Sequence, residues 1–152
     1  MLFLASAGTM LLTLFHHAYG AVIYDEPFRL HVAWFSVPVI IVLALTYWIY
    51  RRRPQSKPGR ISLWIFIGVT VLISVGAIGI FEGGYNHVLK NILYFGGAPQ
   101  ETFYRLYPPI YELPNNFLFE TTGILQFVTA CAALYYIFRL RPRRLKNKAN
   151  NV

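Results

Sequence analysis

The sequence predicts an all-α protein: an integral membrane four-helix bundle with both termini cytoplasmic, and with a short interfacial helix and a long ordered loop between helices three and four on the outer face. Three observations carry this. Of 152 residues, 56% are hydrophobic, well above a soluble domain's usual share. Four apolar runs, 2–23, 30–50, 62–81 and 117–138, each approach the ~20 residues that cross a ~30 Å hydrocarbon layer. The basic residues gather on one side of those runs. Backbone polar groups cannot stay unpaired in lipid, so each run is expected to be a helix within one transmembrane domain.

Run one ends a little beyond His16 and His17, which lie about two turns, or roughly 10 Å, below its outer terminus. The "AYG" at its end has the small-residue spacing of a signal-peptide cleavage site, but no Lys or Arg precedes the apolar stretch, so it reads as a retained first helix. The turn "YDEPFR" contains Pro27, which bars one continuous helix and makes runs one and two an antiparallel hairpin. His31 opens run two, and Pro38 inside it is expected to bend the span. "RRRPQSKPGR" then links to run three, where Gly76, Gly79 and Gly83 make a small-residue stripe that lets a neighbouring helix come close.

Beyond Gly83 and Gly84, "YNHVLKNILYF" has apolar residues at near-helical spacing with Asn86, Lys90 and Asn91 between them. That pattern suits a short helix in the interface, or a continuation of helix three bent at the glycines. The stretch "GGAPQETFYRLYPPIYELPNN" shows no obvious element and reads as a lid, a docking surface or a binding loop. Run four carries Glu120 in its first turn, and a basic tail, 139–152, follows it. Trp48 and Trp64 suit an inner aromatic belt, Tyr19, Tyr24, Trp34 and Tyr85 an outer one.

The formal charge of +8 is less informative than its distribution. Arg51, Arg52, Arg53, Lys57 and Arg60 lie between runs two and three, and six more Lys and Arg follow run four. Every acid and every histidine falls towards the other end. The positive-inside rule therefore makes both termini and the 51–60 link cytoplasmic, in a multi-pass protein of the cytoplasmic (plasma) membrane. Basic residues that flank spans have membrane lipids as their partners, so nucleic-acid binding is set aside. Cys131 stands alone in run four and supports no thiol chemistry.

An ionisable side chain within or at the edge of a span is costly, and its default reading is functional. His16, His17, His31, His87, Glu82 and Glu120 come from all four runs and share the outer third of the bundle. Imidazoles and carboxylates on rigid helices are what a metal site needs. The candidate ligands are His17, His31, Glu82, His87 and Glu120, with His16 as the alternative to His17, because adjacent helical residues point about 100° apart. Glu112 is a further candidate, as a lid ligand or as an acceptor for an imidazole N–H. A donor set with no thiolate suits Zn, Fe, Mn or Cu(II).

The set is compatible with a metal-dependent membrane enzyme, an oxidoreductase or hydrolase acting on a lipid-soluble substrate. Two alternatives stand beside it: a non-catalytic subunit of a larger membrane complex or homo-oligomer, and a haem b or quinone-binding module. The bland reading of each residue is a packed or interfacial side chain. Glu120, for one, could answer the positive end of its own helix. Ion transport is disfavoured, because the inner two thirds hold only scattered polar side chains such as Thr46, Ser74, Gln126 and Thr129.

Overall fold

A computed structural model describes residues 1–109 and 111–139; the predicted basic tail lies, apart from Arg139, outside them. Its long helices are α1 (Leu2–Ile23), α2 (Leu30–Arg52), α3 (Lys57–Phe95) and α5 (Phe117–Phe138), with the short α4 (Gln100–Leu106) before the last. No strand occurs among the described residues. All four long helices are long and apolar enough to cross a membrane.

The α1–α2 turn is tight. Asp25 sits at φ 52, a left-handed conformation that a short polar side chain tolerates, and Pro27 starts a single 3₁₀ turn, Pro27–Arg29, that leads into α2. Pro38 lies inside α2, which runs on to Arg52. Ser56 starts α3 by accepting the Gly59 backbone N–H at 3.1 Å, and Asn116 starts α5 in the same way through Phe119 N–H at 2.9 Å.

The third helix departs from the expected boundaries. It does not stop near Phe81 and give way to a separate interfacial helix; of the two readings of that stretch, the continuation of helix three is the one found, and it runs to Phe95, so Glu82 is an interior residue. From Thr70 to Leu89 it is wound as a π-helix, with i→i+5 bonding. Such winding puts residues four or five apart on one face and is usually confined to short stretches at functional sites. The connection thought to lack structure holds α4, docked by a reciprocal pair: Tyr107 donates to the Tyr85 carbonyl at 2.7 Å, and Tyr85 donates to the Leu106 carbonyl at 2.8 Å.

Around the bundle α1 lies between α2 and α5, α5 runs along Thr70–Leu89, and α2 packs on Lys57–Val69. Contact between α2 and Thr70–Leu89 is nearly absent, so those two segments diverge towards the end bearing the Tyr24–Arg29 turn, called here the loop end. The apolar core is modest and lies towards the opposite, arginine end: Met10, Val39, Leu43, Phe66 and Ile78 in one cluster, Val75, Ala130 and Ala133 in another. Large apolar side chains face outward, among them Trp34, Trp64, Leu72 and Phe117. Small and polar ones are buried. That inversion suits helices surrounded by lipid, where packing and hydrogen bonds, not solvent exclusion, hold helices together.

Candidate functional site

Glycine sets how closely the helices approach at the loop end. A Cβ on Gly83 would meet the Phe127 backbone nitrogen at 2.6 Å, and one on Gly79 would meet the Ala130 Cβ at 2.0 Å, so α3 and α5 touch through bare backbone. Of the predicted stripe, Gly76 meets no other helix. A Cβ on Gly123 would lie 2.2 Å from the His87 ring, so the imidazole occupies the space that this glycine leaves.

That approach assembles a cluster. His16 from α1 and Glu82 and His87 from the π-helical part of α3 bring three donor atoms within 4.8 Å of one another. The His16 and His87 Nε2 atoms are 3.1 Å apart, and Glu82 Oε1 lies 3.8 Å from the first and 3.7 Å from the second. His17 Nε2 is also 3.7 Å from that oxygen. Both adjacent histidines therefore address one carboxylate, although their spacing predicts that only one would. The reason is that Glu82 reaches the gap between their rings, which stand 5.3 Å apart at 79°.

Hydrogen bonding fixes how the imidazoles present themselves. Glu120 Oε2 accepts from His87 Nδ1 at 2.8 Å, and a carboxylate is only an acceptor, so the His87 proton sits on Nδ1. The Thr122 hydroxyl donates to the Leu118 and Phe119 carbonyls at 2.9 and 3.0 Å, which leaves its oxygen to accept from His16 Nδ1 at 2.9 Å. The two Nε2 atoms then face each other at 3.1 Å and lie 3.7–3.8 Å from the Glu82 carboxylate, so a shared proton or a cation is needed among the three.

The other charged groups around the cluster are paired. Lys90, 2% exposed, donates to Glu120 Oε1 at 3.1 Å and to the Glu112 carbonyl at 2.8 Å. Asn91 adds a bond to Glu120 Oε2 at 2.5 Å. Arg29 is bound to Glu26 and lies 3.9 Å from Glu112 Oε1. Glu82 has the Asn86 amide at 2.9 Å and, among the described residues, no lysine or arginine within ion-pair distance. Its neighbours in charge are imidazoles.

The candidate residues thus divide. His16, Glu82 and His87 form the cluster, and His16, expected only as a substitute, is its most buried member at 0% exposed. His17 borders it with both ring nitrogens free of hydrogen bonds. Glu120 stands behind His87 with both oxygens engaged. His31 is exposed, its Nδ1 turned to the Phe28 carbonyl, and Glu112 lies beside Arg29; both line a cavity of about 260 Å³ that also reaches His17, Glu82, Asn86, His87 and Lys90.

Residues the sequence reading passed over include Lys90, Asn91, Arg29 and Thr122. Asn86, Lys90 and Asn91 stand between the apolar positions of a stretch that suits either an interfacial helix or a continuation of helix three. The signal that separates the two cases is their register: positions 82, 86, 87, 90 and 91 step by four and five along one uninterrupted helix. Outside the spans, burial pushes the Tyr107 hydroxyl up to about 12, as it does that of Tyr24. Compared with family models, curated proteins and solved structures, the chain matches none.

Proposed function

We propose that this chain is a multi-pass protein of the cytoplasmic membrane that holds a divalent metal on His16, Glu82 and His87 and uses it on a lipid-soluble substrate. The observation that carries the reading is the convergence of two imidazole Nε2 atoms on a carboxylate that has no lysine or arginine partner among the described residues. Uncompensated, that arrangement is repulsive and costly; a cation among the three atoms resolves it. Metal bonds of about 2.0–2.2 Å in tetrahedral geometry put ligand atoms roughly 3.3–3.6 Å apart, and the observed separations run from 3.1 to 3.8 Å.

Two imidazoles and one carboxylate leave coordination positions open. The same donor set serves hydrolytic zinc and oxygen-activating iron, so a Lewis-acid metal here would suit a hydrolase and a redox-active one an oxidoreductase. The metal supplies Lewis acidity or redox chemistry. The protein's own residues do the rest: Glu120 and Thr122 hold the two imidazoles in their tautomers, and His17, unpartnered and facing the cavity, accepts a proton from the reacting group. The divergence of α2 from Thr70–Leu89 gives a substrate dissolved in the bilayer a lateral way in. By the positive-inside rule the loop end faces outward, and so does the site.

A haem on His16 and His87 suits the geometry less well. Nitrogens 3.1 Å apart leave no room for a porphyrin plane, and Phe119 already stacks on His16 at 4.0 Å.

Elemental analysis of the purified protein beside Glu82→Gln, His16→Ala and His31→Ala tests the metal. Stoichiometric metal in the wild type and in His31→Ala, with loss from the other two, is expected. Unchanged metal content in both cluster variants, or no metal uptake by the wild type, ends the reading.

A further inference from the structure

Below the cluster, the face that α1 buries is polar for most of its length. Ser6, Thr9, Thr13 and His16 recur at intervals of three and four, and each is 0% exposed. All but Thr13 meet hydroxyls on α3 or α5. His16 Nδ1 is bonded to Thr122; Thr9 donates to Thr129 at 2.9 Å; Ser6 donates to Ser74 at 2.9 Å and lies 3.1 Å from Thr70. Thr46 on α2 bonds back to its own helix's carbonyls, but Ser74, Gln126 and Thr129 fall on one line, where α1, α3 and α5 meet. It begins at the cluster and ends about one helical turn from the start of α1.

Between the His16 link and the Thr9 link stands Gln126, one turn along α5 from Thr122. It is 0% exposed, and neither its amide nitrogen nor its oxygen has a partner. Hydroxyls in spanning helices commonly serve as packing glue by bonding to the carbonyl one turn back, as Thr13 does to Thr9 at 2.8 Å. A primary amide with every group unpaired is not explained in that way. Buried polar groups in this state are ordinarily met by internal water.

We propose that this seam is hydrated at Gln126 and carries protons between the His/Glu cluster and the arginine end. Water on the Gln126 amide joins the His16–Thr122 link to the Thr129–Thr9 link, and Ser6, Ser74 and Thr70 continue it inward. Beside the inner part of the seam, Leu2, Ala5 and Leu134 pack on Val75, Ala130 and Ala133. Transfer is by hopping: a proton accepted at one end displaces one at the other, with no electron moved and no other bond changed. The proposal does not require a bound metal.

The test is proton uptake into vesicles reconstituted with the full chain, loaded with a pH-sensitive dye and driven by a potassium diffusion potential. The assay runs in the presence of a chelator, so that this proposal and the metal reading fail independently. Uptake well above that of protein-free vesicles is expected, falling at least several-fold in Gln126→Leu. Thr9→Val is the second variant, should the first not fold. Wild-type uptake equal to that of empty vesicles, or unchanged uptake in a folded variant, overturns the proposal. Stability gives an independent sign. In a dry seam, replacing an orphaned amide with leucine raises Tm; in a hydrated seam it breaks the water's hydrogen bonds and lowers Tm by a few degrees.

Discussion

His87 is held from two sides, by Gly123, which makes room for its ring, and by Glu120, which takes its Nδ1 proton. Glu120→Gln is therefore expected to weaken metal binding about 10- to 100-fold, the usual cost of losing a carboxylate behind an imidazole ligand. Glu112→Gln, in contrast, is expected to leave the affinity unchanged. Competition against a chromophoric chelator measures both, and equal behaviour of the two variants contradicts the assigned roles. Lys90 is the cation of a buried pair, with side chains 3% and 8% exposed. Lys90→Met leaves Glu120 uncompensated and is expected to cost about 3–5 kcal/mol. The double variant Lys90→Met/Glu120→Gln recovers part of that in denaturation. The residue types at the site were legible in the sequence, because acids and histidines in apolar runs are rare. Which imidazole entered the cluster was not, since His16 and His17 differ only in how far α5 lies from each, and no local pattern records that distance.

Among the elements, α3 decides the site. Its π-helical winding puts Glu82 and His87, five residues apart, on one face, and its glycines bring α5 against it. Gly83→Ala and Gly123→Ala are expected to destabilise by about 1–3 kcal/mol or more, as overpacking does. Gly123→Ala is expected also to displace His87 and lose the metal, whereas Gly76→Ala, which meets no other helix, does neither. Thermal unfolding with metal analysis separates the three. The Tyr85–Tyr107 clamp predicts a pH effect. Burial raises the folded Tyr107 from an ordinary 10 to about 12, so between those values the folded state holds a proton that the unfolded state releases. Stability is full below pH 10 and falls as pH rises towards 12. Tyr107→Phe is expected to flatten that fall. The boundaries of α1 and α5 were readable from hydropathy, because a lipid-facing helix is apolar on most sides. The sequence leaves the length of α3 open between an interfacial helix and a continuation of the span, because polar residues that face a site look the same as polar residues that face water.

For the whole molecule, charge and helix length act together. The Arg51–Arg60 link lies at one end and the cluster at the other, so the account predicts a fixed sidedness. In a Cys131→Ala background, Gln55→Cys is expected to react with an impermeant thiol reagent only from the cytoplasmic side, and Glu101→Cys only from outside. The opposite labelling reverses the orientation of the site. The bundle itself was visible from the sequence as four apolar runs, but the gap between α2 and Thr70–Leu89 was not. It arises from helix crossing, which depends on which small residues meet. The central claim, two imidazoles and a carboxylate on one metal, is tested most directly by X-ray absorption at the metal edge of the purified protein. The account predicts nitrogen and oxygen ligands at about 2.0–2.2 Å, with the scattering of two imidazoles reduced to one in His87→Ala. A spectrum without imidazole scattering, or one unchanged in His87→Ala, would contradict it.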